Sequence, residues 1–186
     1  MVDGAREAIG LALNKLGYSL NDTNSQHLAE AEKTLSHLGP NVKGVVGDEI
    51  TMMLEQHEAN VAVVWSGVAA PMVQGSDEFN YVVPKEGSNL WFDNMVMPKT
   101  AQNKAGAYKF MNFLLDEEIS KQNTEWVGYA TPNKAAREKL PDEVKNDKRF
   151  YPTQQDQNRL EVYKDLGKET LSEYNERFLN FKISLK

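Results

Sequence analysis

One stretch carries residue types suited to holding a small organic cation, and two more set an aromatic ring where a ligand could meet it. In Ser88-Asn89-Leu90-Trp91-Phe92-Asp93-Asn94-Met95-Val96-Met97-Pro98, a strand period of two predicts Trp91, Asp93 and Met95 on one face. An indole two residues before a carboxylate makes a minimal cation site: the ring offers a negative π face and apolar cover, and the acid a counter-charge. A carboxylate in mid-strand is costly unless paired, so the plainer reading is an edge strand with a solvated Asp93. Trp65 ends the apolar run Val61-Ala62-Val63-Val64 and precedes Ser66-Gly67. In open α/β sheets, ligands bind beyond the carboxyl ends of strands, which is where Trp65 falls; its plainer reading is a core ring at a strand end. Tyr129 sits in the loop Gly128-Tyr129-Ala130-Thr131-Pro132-Asn133, a setting that presents a side chain rather than packing it. Tyr163, Tyr174, Phe178 and Phe181 have helical spacing and read as core rather than cage.

Other chemistries are poorly represented. The 186 residues contain no cysteine, which excludes disulfides, thiol catalysis and thiolate metal sites. His27, His37 and His57 have no partner at metal-ligand spacing, so no metal is expected. There is no phosphate loop, no dinucleotide fingerprint, no nucleophile elbow and no HExxH; neither a catalytic residue nor a cofactor is expected. A net charge of −6 argues against nucleic acid as a partner. No apolar run reaches the length of a membrane span, and no export-signal pattern opens the chain.

These candidates must be positioned by a folded scaffold. With 40% hydrophobic and 26% charged residues, the chain is globular in composition. Asp3 is placed to cap a helix bearing Ala5, Ala8, Ile9, Ala12, Leu13 and Leu16, stopped at Gly17. Leu28, Ala31, Leu35 and Leu38 mark a second helix, closed by Gly39-Pro40. Asp48 is placed to cap a third, running to about Asn60. Strands are expected at Val42–Val46, Val61–Trp65, Phe79–Val83 and Leu90–Met97, the second of them buried on both faces as in a parallel sheet. A short helix is expected after Ser66-Gly67, and longer ones over Lys104–Leu115, Ile119–Val127, Lys134–Leu140, Leu160–Leu166 and Thr170–Phe181. Helices alternating with short apolar strands predict an α/β layered fold.

In order and spacing, several segments match a known family: Asp3-Gly4-Ala5-Arg6-Glu7, Lys15-Leu16-Gly17-Tyr18-Ser19, Val64-Trp65-Ser66-Gly67, Val83-Pro84-Lys85-Glu86-Gly87, Trp91-Phe92-Asp93, Asn112-Phe113-Leu114-Leu115 and Gly128-Tyr129-Ala130-Thr131-Pro132-Asn133. Over essentially its whole length, the chain resembles the C-terminal half to three-fifths of the bacterial spermidine/putrescine-binding proteins of ABC importers, members of the type II periplasmic-binding-protein superfamily. The resemblance implies a parallel-rich mixed sheet flanked by helices, with an incomplete second lobe. It places 1–90 and 130–186 in the C-terminal lobe, and 91–129 as a crossover strand and helices belonging to the N-terminal lobe. It implies a cleft between lobes in which Trp65 and Trp91 are aromatic walls, Asp93 holds a primary ammonium, Tyr129 is a further wall and Glu7 meets the other amine. Spermidine binders of the family carry a second acid where this chain has Gly4, and an amide near Tyr163.

The resemblance further implies a non-enzymatic, extracytoplasmic solute receptor. Its partners would be a polyamine and ABC permease subunits, and its place the periplasm or the outer membrane face, lipid-anchored at full length, with the signal and anchor lying before residue 1. Phe110, Phe113, Leu114 and Trp126 would then lack their usual core; they are expected to be exposed, self-associated across chains, or refolded onto the lobe. Two other functions stay open on the residues alone. One is a receptor for a different diamine, an amino acid or a sugar. The other is a glycoside hydrolase using Glu7 and Asp93 as paired carboxylates.

Overall fold

The computed structural model describes residues 1–185. In chain order the elements are α1 (Ala5–Leu16), α2 (Ser25–Leu38), a 3-10 turn (Gly39–Asn41), α3 (Glu49–Glu55), α4 (Ser66–Gly75), β1 (Ser88–Asn89), α5 (Lys104–Leu114), α6 (Glu117–Val127), α7 (Lys134–Glu138), α8 (Asp142–Lys145), α9 (Gln154–Gln157), β2 (Leu160–Glu161) and α10 (Gly167–Ser184). Two compact units emerge. The first comprises Met1–Val64, Val83–Trp91 and Asn158–Lys186; the second comprises Trp65–Val82 and Phe92–Gln157.

The first unit is built on three helices. Ala8, Ile9, Ala12 and Leu13 of α1 meet Leu28, Ala31 and Leu35 of α2, and Tyr174, Phe178 and Phe181 of α10. Each set recurs at three- and four-residue spacing, which gathers it on one helix face. Fully burying each large side chain contributes about 1.5–3 kcal/mol. Gly17 ends α1 at φ 81°, a left-handed conformation glycine adopts without strain; its N–H and that of Tyr18 donate to the Asn14 and Leu13 carbonyls. Asn24 caps α2 by accepting from the Gln26 N–H at 2.9 Å. Parallel pairing joins β1 to β2, with Ser88 opposite Leu160 and Asn89 opposite Glu161. A parallel bridge joins Val2 to Val46.

In the second unit, α4 buries Gly67, Ala69 and Ala70. Asp116 caps α6 by accepting from the Glu118 and Ile119 N–H groups. The loop after α6 is pinned at several points. Asn133 caps α7 through the Ala136 N–H at 3.2 Å and donates to the Leu115 carbonyl at 2.8 Å. Lys139 bridges back to Glu117 and Glu118. The Thr131 N–H donates to the Tyr151 hydroxyl, whose ring lies under the Arg137 guanidinium at 4.4 Å. These ties hold residues 130–157 with α5 and α6.

The helices match expectation closely, and the strands do not. The N-cap of α1 is Gly4, not Asp3, whose carboxylate instead accepts from Lys182 at 3.0 Å. Asp48 stands at the N-cap of α3 without a side-chain cap, and the helix stops at Glu55 rather than near Asn60. Of Leu90–Met97, no residue lies in a ladder; the pairing sits just upstream at Ser88–Asn89. Val42–Val46 makes one bridge, and neither Val61–Trp65 nor Phe79–Val83 forms a strand among the described residues. Val61, Val82 and Val96 are exposed rather than buried on two faces. A strand exists only with a hydrogen-bonded neighbour; Val46 pairs with the Met1–Asp3 backbone alone and Leu90 gives one N–H to the Glu161 carbonyl, while Val61–Trp65 and Phe79–Val83 lie in no ladder among the described residues. The expected helix over Leu160–Leu166 is also corrected: Leu160 and Glu161 pair with β1 instead.

Candidate ligand-binding site

In the first unit, α1 presents Arg6 and Glu7 in its opening turn. The Arg6 guanidinium donates to the Leu20 carbonyl at 3.2 Å, the Asn21 side-chain carbonyl at 3.0 Å and the Lys164 carbonyl at 3.3 Å. It lies 4.5 Å from the centre of the Tyr163 ring and 5.2 Å from that of Tyr174. Its Nε is buried without a hydrogen-bond partner. The cation is therefore held by carbonyl dipoles and two π faces rather than by a carboxylate.

Glu7 is half-buried and makes no hydrogen bond or ion pair among the described residues. Tyr163 lies beside it, and the phenol is pushed well above its ordinary range, first by burial and then by the Glu7 charge. A β-carbon on Gly10 would come within 3.9 Å of the Tyr163 hydroxyl, so this ring stands over α1. Trp91, at the end of the segment after β1, is half-buried in the same unit.

In the second unit, Trp65 is the extended N-cap residue of α4, with φ −74° and ψ 151°. Two residues on, the Tyr129 ring lies against bare Gly67: a β-carbon there would meet the ring Cγ at 2.5 Å. Tyr129 follows Gly128, which ends α6 at φ 74°. Pro71 has no N–H to give the Gly67 carbonyl. That oxygen faces Gly128, where an added β-carbon would come within 3.2 Å of it. Asp93 is exposed in this unit, and the two-residue period that placed it beside Trp91 has no strand to act in.

The structure thus sets Tyr163 over the α1 face that carries Arg6 and Gly10, and brings Tyr129 to the turn that begins at Trp65. Tyr163 and Tyr174, read as core by spacing, also line the Arg6 guanidinium. Arg6 carries no local sequence signal of this role, since its partners Leu20, Asn21, Tyr163 and Lys164 all lie outside its own helix. His27 donates its Nδ1–H to the Asp22 carboxylate at 2.8 Å and stacks on Tyr18 at 3.8 Å. No group of three or more metal-ligating side chains occurs among the described residues.

Helices packed beside parallel pairings, with aromatic rings and acids at element ends, define part of a type II solute-binding lobe. The chain belongs to the bacterial extracellular solute-binding protein family, whose model matches residues 3–152. It is 40% identical over 167 residues to the spermidine/putrescine-binding periplasmic protein of Salmonella typhimurium, covering 90% of this chain and 48% of that one. A putative spermidine/putrescine ABC transporter structure from Listeria monocytogenes superposes at a TM-score of 0.91 with 56% identity, over 98% of this chain and 56% of that one. A spermidine/putrescine ABC transporter substrate-binding protein from Streptococcus pneumoniae gives 0.89 and 47%, over 100% and 57%. The chain spans about half the length of the curated relatives it matches.

Proposed function

We propose that this chain is part of an extracytoplasmic receptor that captures a polyamine, putrescine or spermidine, for an ABC importer. The observation that carries the reading is Glu7: a half-buried carboxylate with no partner among the described residues, beside Tyr163. Such a group is stabilised by an ammonium that brings both counter-charge and hydrogen bonds. The relatives' names, spermidine/putrescine-binding among them, support the same chemistry. Trp65, Trp91 and Tyr129 would cover methylene spacers, Asp93 would meet a primary ammonium, and Tyr163 would flank Glu7. ABC permease subunits are the proposed macromolecular partner, and the outer side of the bacterial inner membrane the proposed place of action. No helix among the described residues is long and apolar enough to cross a membrane.

The test is calorimetric titration of the chain carried at its relatives' length, preceded by the N-terminal part of the Listeria relative. Micromolar binding of putrescine or spermidine is expected, with Asp93→Ala weakening it by about 2–5 kcal/mol, the scale for breaking a desolvated charge pair. Binding of a sugar or amino acid, with no polyamine heat, would overturn the reading.

A further inference from the structure

Just past β2, Val162, Tyr163 and Lys164 lie in no ladder among the described residues. A side chain takes the place of the missing neighbour. The Asn21 amide donates to the Val162 carbonyl at 3.1 Å and accepts from the Lys164 N–H at 2.8 Å. A parallel neighbouring strand bonds in the same way, taking the carbonyl before one residue and the N–H after it. The residue enclosed between the two bonds is Tyr163. On the other edge, the Glu161 carbonyl accepts from the Leu90 N–H at 2.8 Å. The segment is thus gripped by backbone on one side and by a single amide on the other.

The amide is itself anchored. The Asn21 N–H donates to the Ser19 hydroxyl at 3.0 Å, and the Leu20 N–H to the Glu161 carboxylate at 2.9 Å. Asn21 Oδ1 also accepts from the Arg6 guanidinium at 3.0 Å, and that cation lies 4.5 Å from the centre of the Tyr163 ring. One oxygen therefore holds both the backbone beside Tyr163 and the cation on which its ring rests. Asparagine and glutamine are the side chains that carry a donor and an acceptor in one planar amide, which this double grip requires. Without the grip the segment is free to turn, and a slip of one residue in extended chain sends a side chain to the opposite face.

We propose that Asn21 is a positioning residue for ligand capture: by pairing with the backbone on both sides of Tyr163, it fixes the direction in which that ring is presented. Asn21 itself touches no ligand and acts through Tyr163. The inference rests on the polyamine reading above, with Tyr163 as a ligand contact.

Calorimetry of the chain at its relatives' length, with putrescine and spermidine as probes, tests this in Asn21→Asp, Tyr163→Ala and the two combined. Aspartate keeps the acceptor that serves Lys164 and Arg6 and loses the N–H that Val162 receives. Each single variant is expected to weaken binding about tenfold, and the combination no more than Tyr163→Ala alone, because the two residues act as a unit. Equal losses from Asn21→Asp with and without Tyr163 would mean a merely structural role and overturn the inference. Parental binding by Asn21→Asp would overturn it too. Hydrogen exchange of the parent needs no variant: slow exchange of the Lys164 N–H is expected, and exchange at the unprotected rate would sink the inference even if Asn21→Asp fails to fold. Tyr163→Ala binding like the parent would overturn this inference and leave polyamine capture standing. No polyamine heat from the parent would bring down both readings.

Discussion

The Tyr129 ring rests on Gly67. No β-carbon fits between them: it would lie 2.5 Å from the ring Cγ, and rings do not fold away as a flexible chain does. Gly67→Ala is therefore expected to push Tyr129 off α4, at a stability cost of about 1–3 kcal/mol for overpacking. At the relatives' length it should also weaken polyamine binding, because Tyr129 would face a different direction. Thermal melts and calorimetry check this. Parental stability together with parental affinity would mean that the contact is not made in solution.

Tyr174 predicts an alkaline limb. It is buried at the centre of the first unit, and its hydroxyl meets the Asp22 carbonyl at 2.8 Å and the Leu20 carbonyl at 3.3 Å. Burial is the largest influence on it and pushes the phenol up to about 12. An unfolded tyrosine titrates near 10, so the native state holds the proton more tightly. The associated stability is fully present below pH ~10 and is lost as pH rises toward 12, amounting to roughly 2–3 kcal/mol. Tyr174→Phe should be less stable than the parent at neutral pH, through the lost hydrogen bonds, and that deficit should shrink between pH 10 and 12. A deficit constant across that range would show that Tyr174 does not titrate with unfolding.

Trp126 predicts association. It is 90% exposed, and Phe110 and Phe113 are 61% and 52% exposed in the same unit. Exposed large aromatic rings are apolar surface that a second copy of the chain would cover. Sedimentation velocity of the 186-residue chain should show concentration-dependent association. Replacing Phe113 and Trp126 by serine should abolish it without lowering the melting temperature. A monomer at every concentration would refute the expectation.

How much of this was legible in the sequence follows from how local each signal is. The three core helices could be read because their periodicity and stop signals are local: Leu28, Ala31 and Leu35 lie within one helix, and Gly17 ends its helix by its own conformation. Strands were misplaced because pairing is non-local; nothing near Val61 says whether a neighbour lies beside it. Leu160, Tyr163 and Leu166 mimic a helical face at three-residue spacing, yet Leu160 pairs across 72 positions with Ser88. At the site, residue types could be read and partners could not. Tyr129 is marked by its type and its loop, and Glu7 by the family resemblance alone. Gly67 as the seat of Tyr129 and Arg6 between two tyrosines depend on segments 62 and 157 residues away.

The first unit draws its core from both ends of the chain, with Ile9 and Leu35 at one end and Tyr174 and Phe181 at the other. A ribosome releases these pieces in order, at roughly 5–20 residues per second, so the apolar faces of α1 and α2 wait about ten seconds or more for α10. During that interval the nascent chain carries an uncovered leucine-rich surface, which is what holding chaperones bind. Any stop codon that removes α10 would leave that surface open for good, and such a product should aggregate rather than persist as a shorter folded chain.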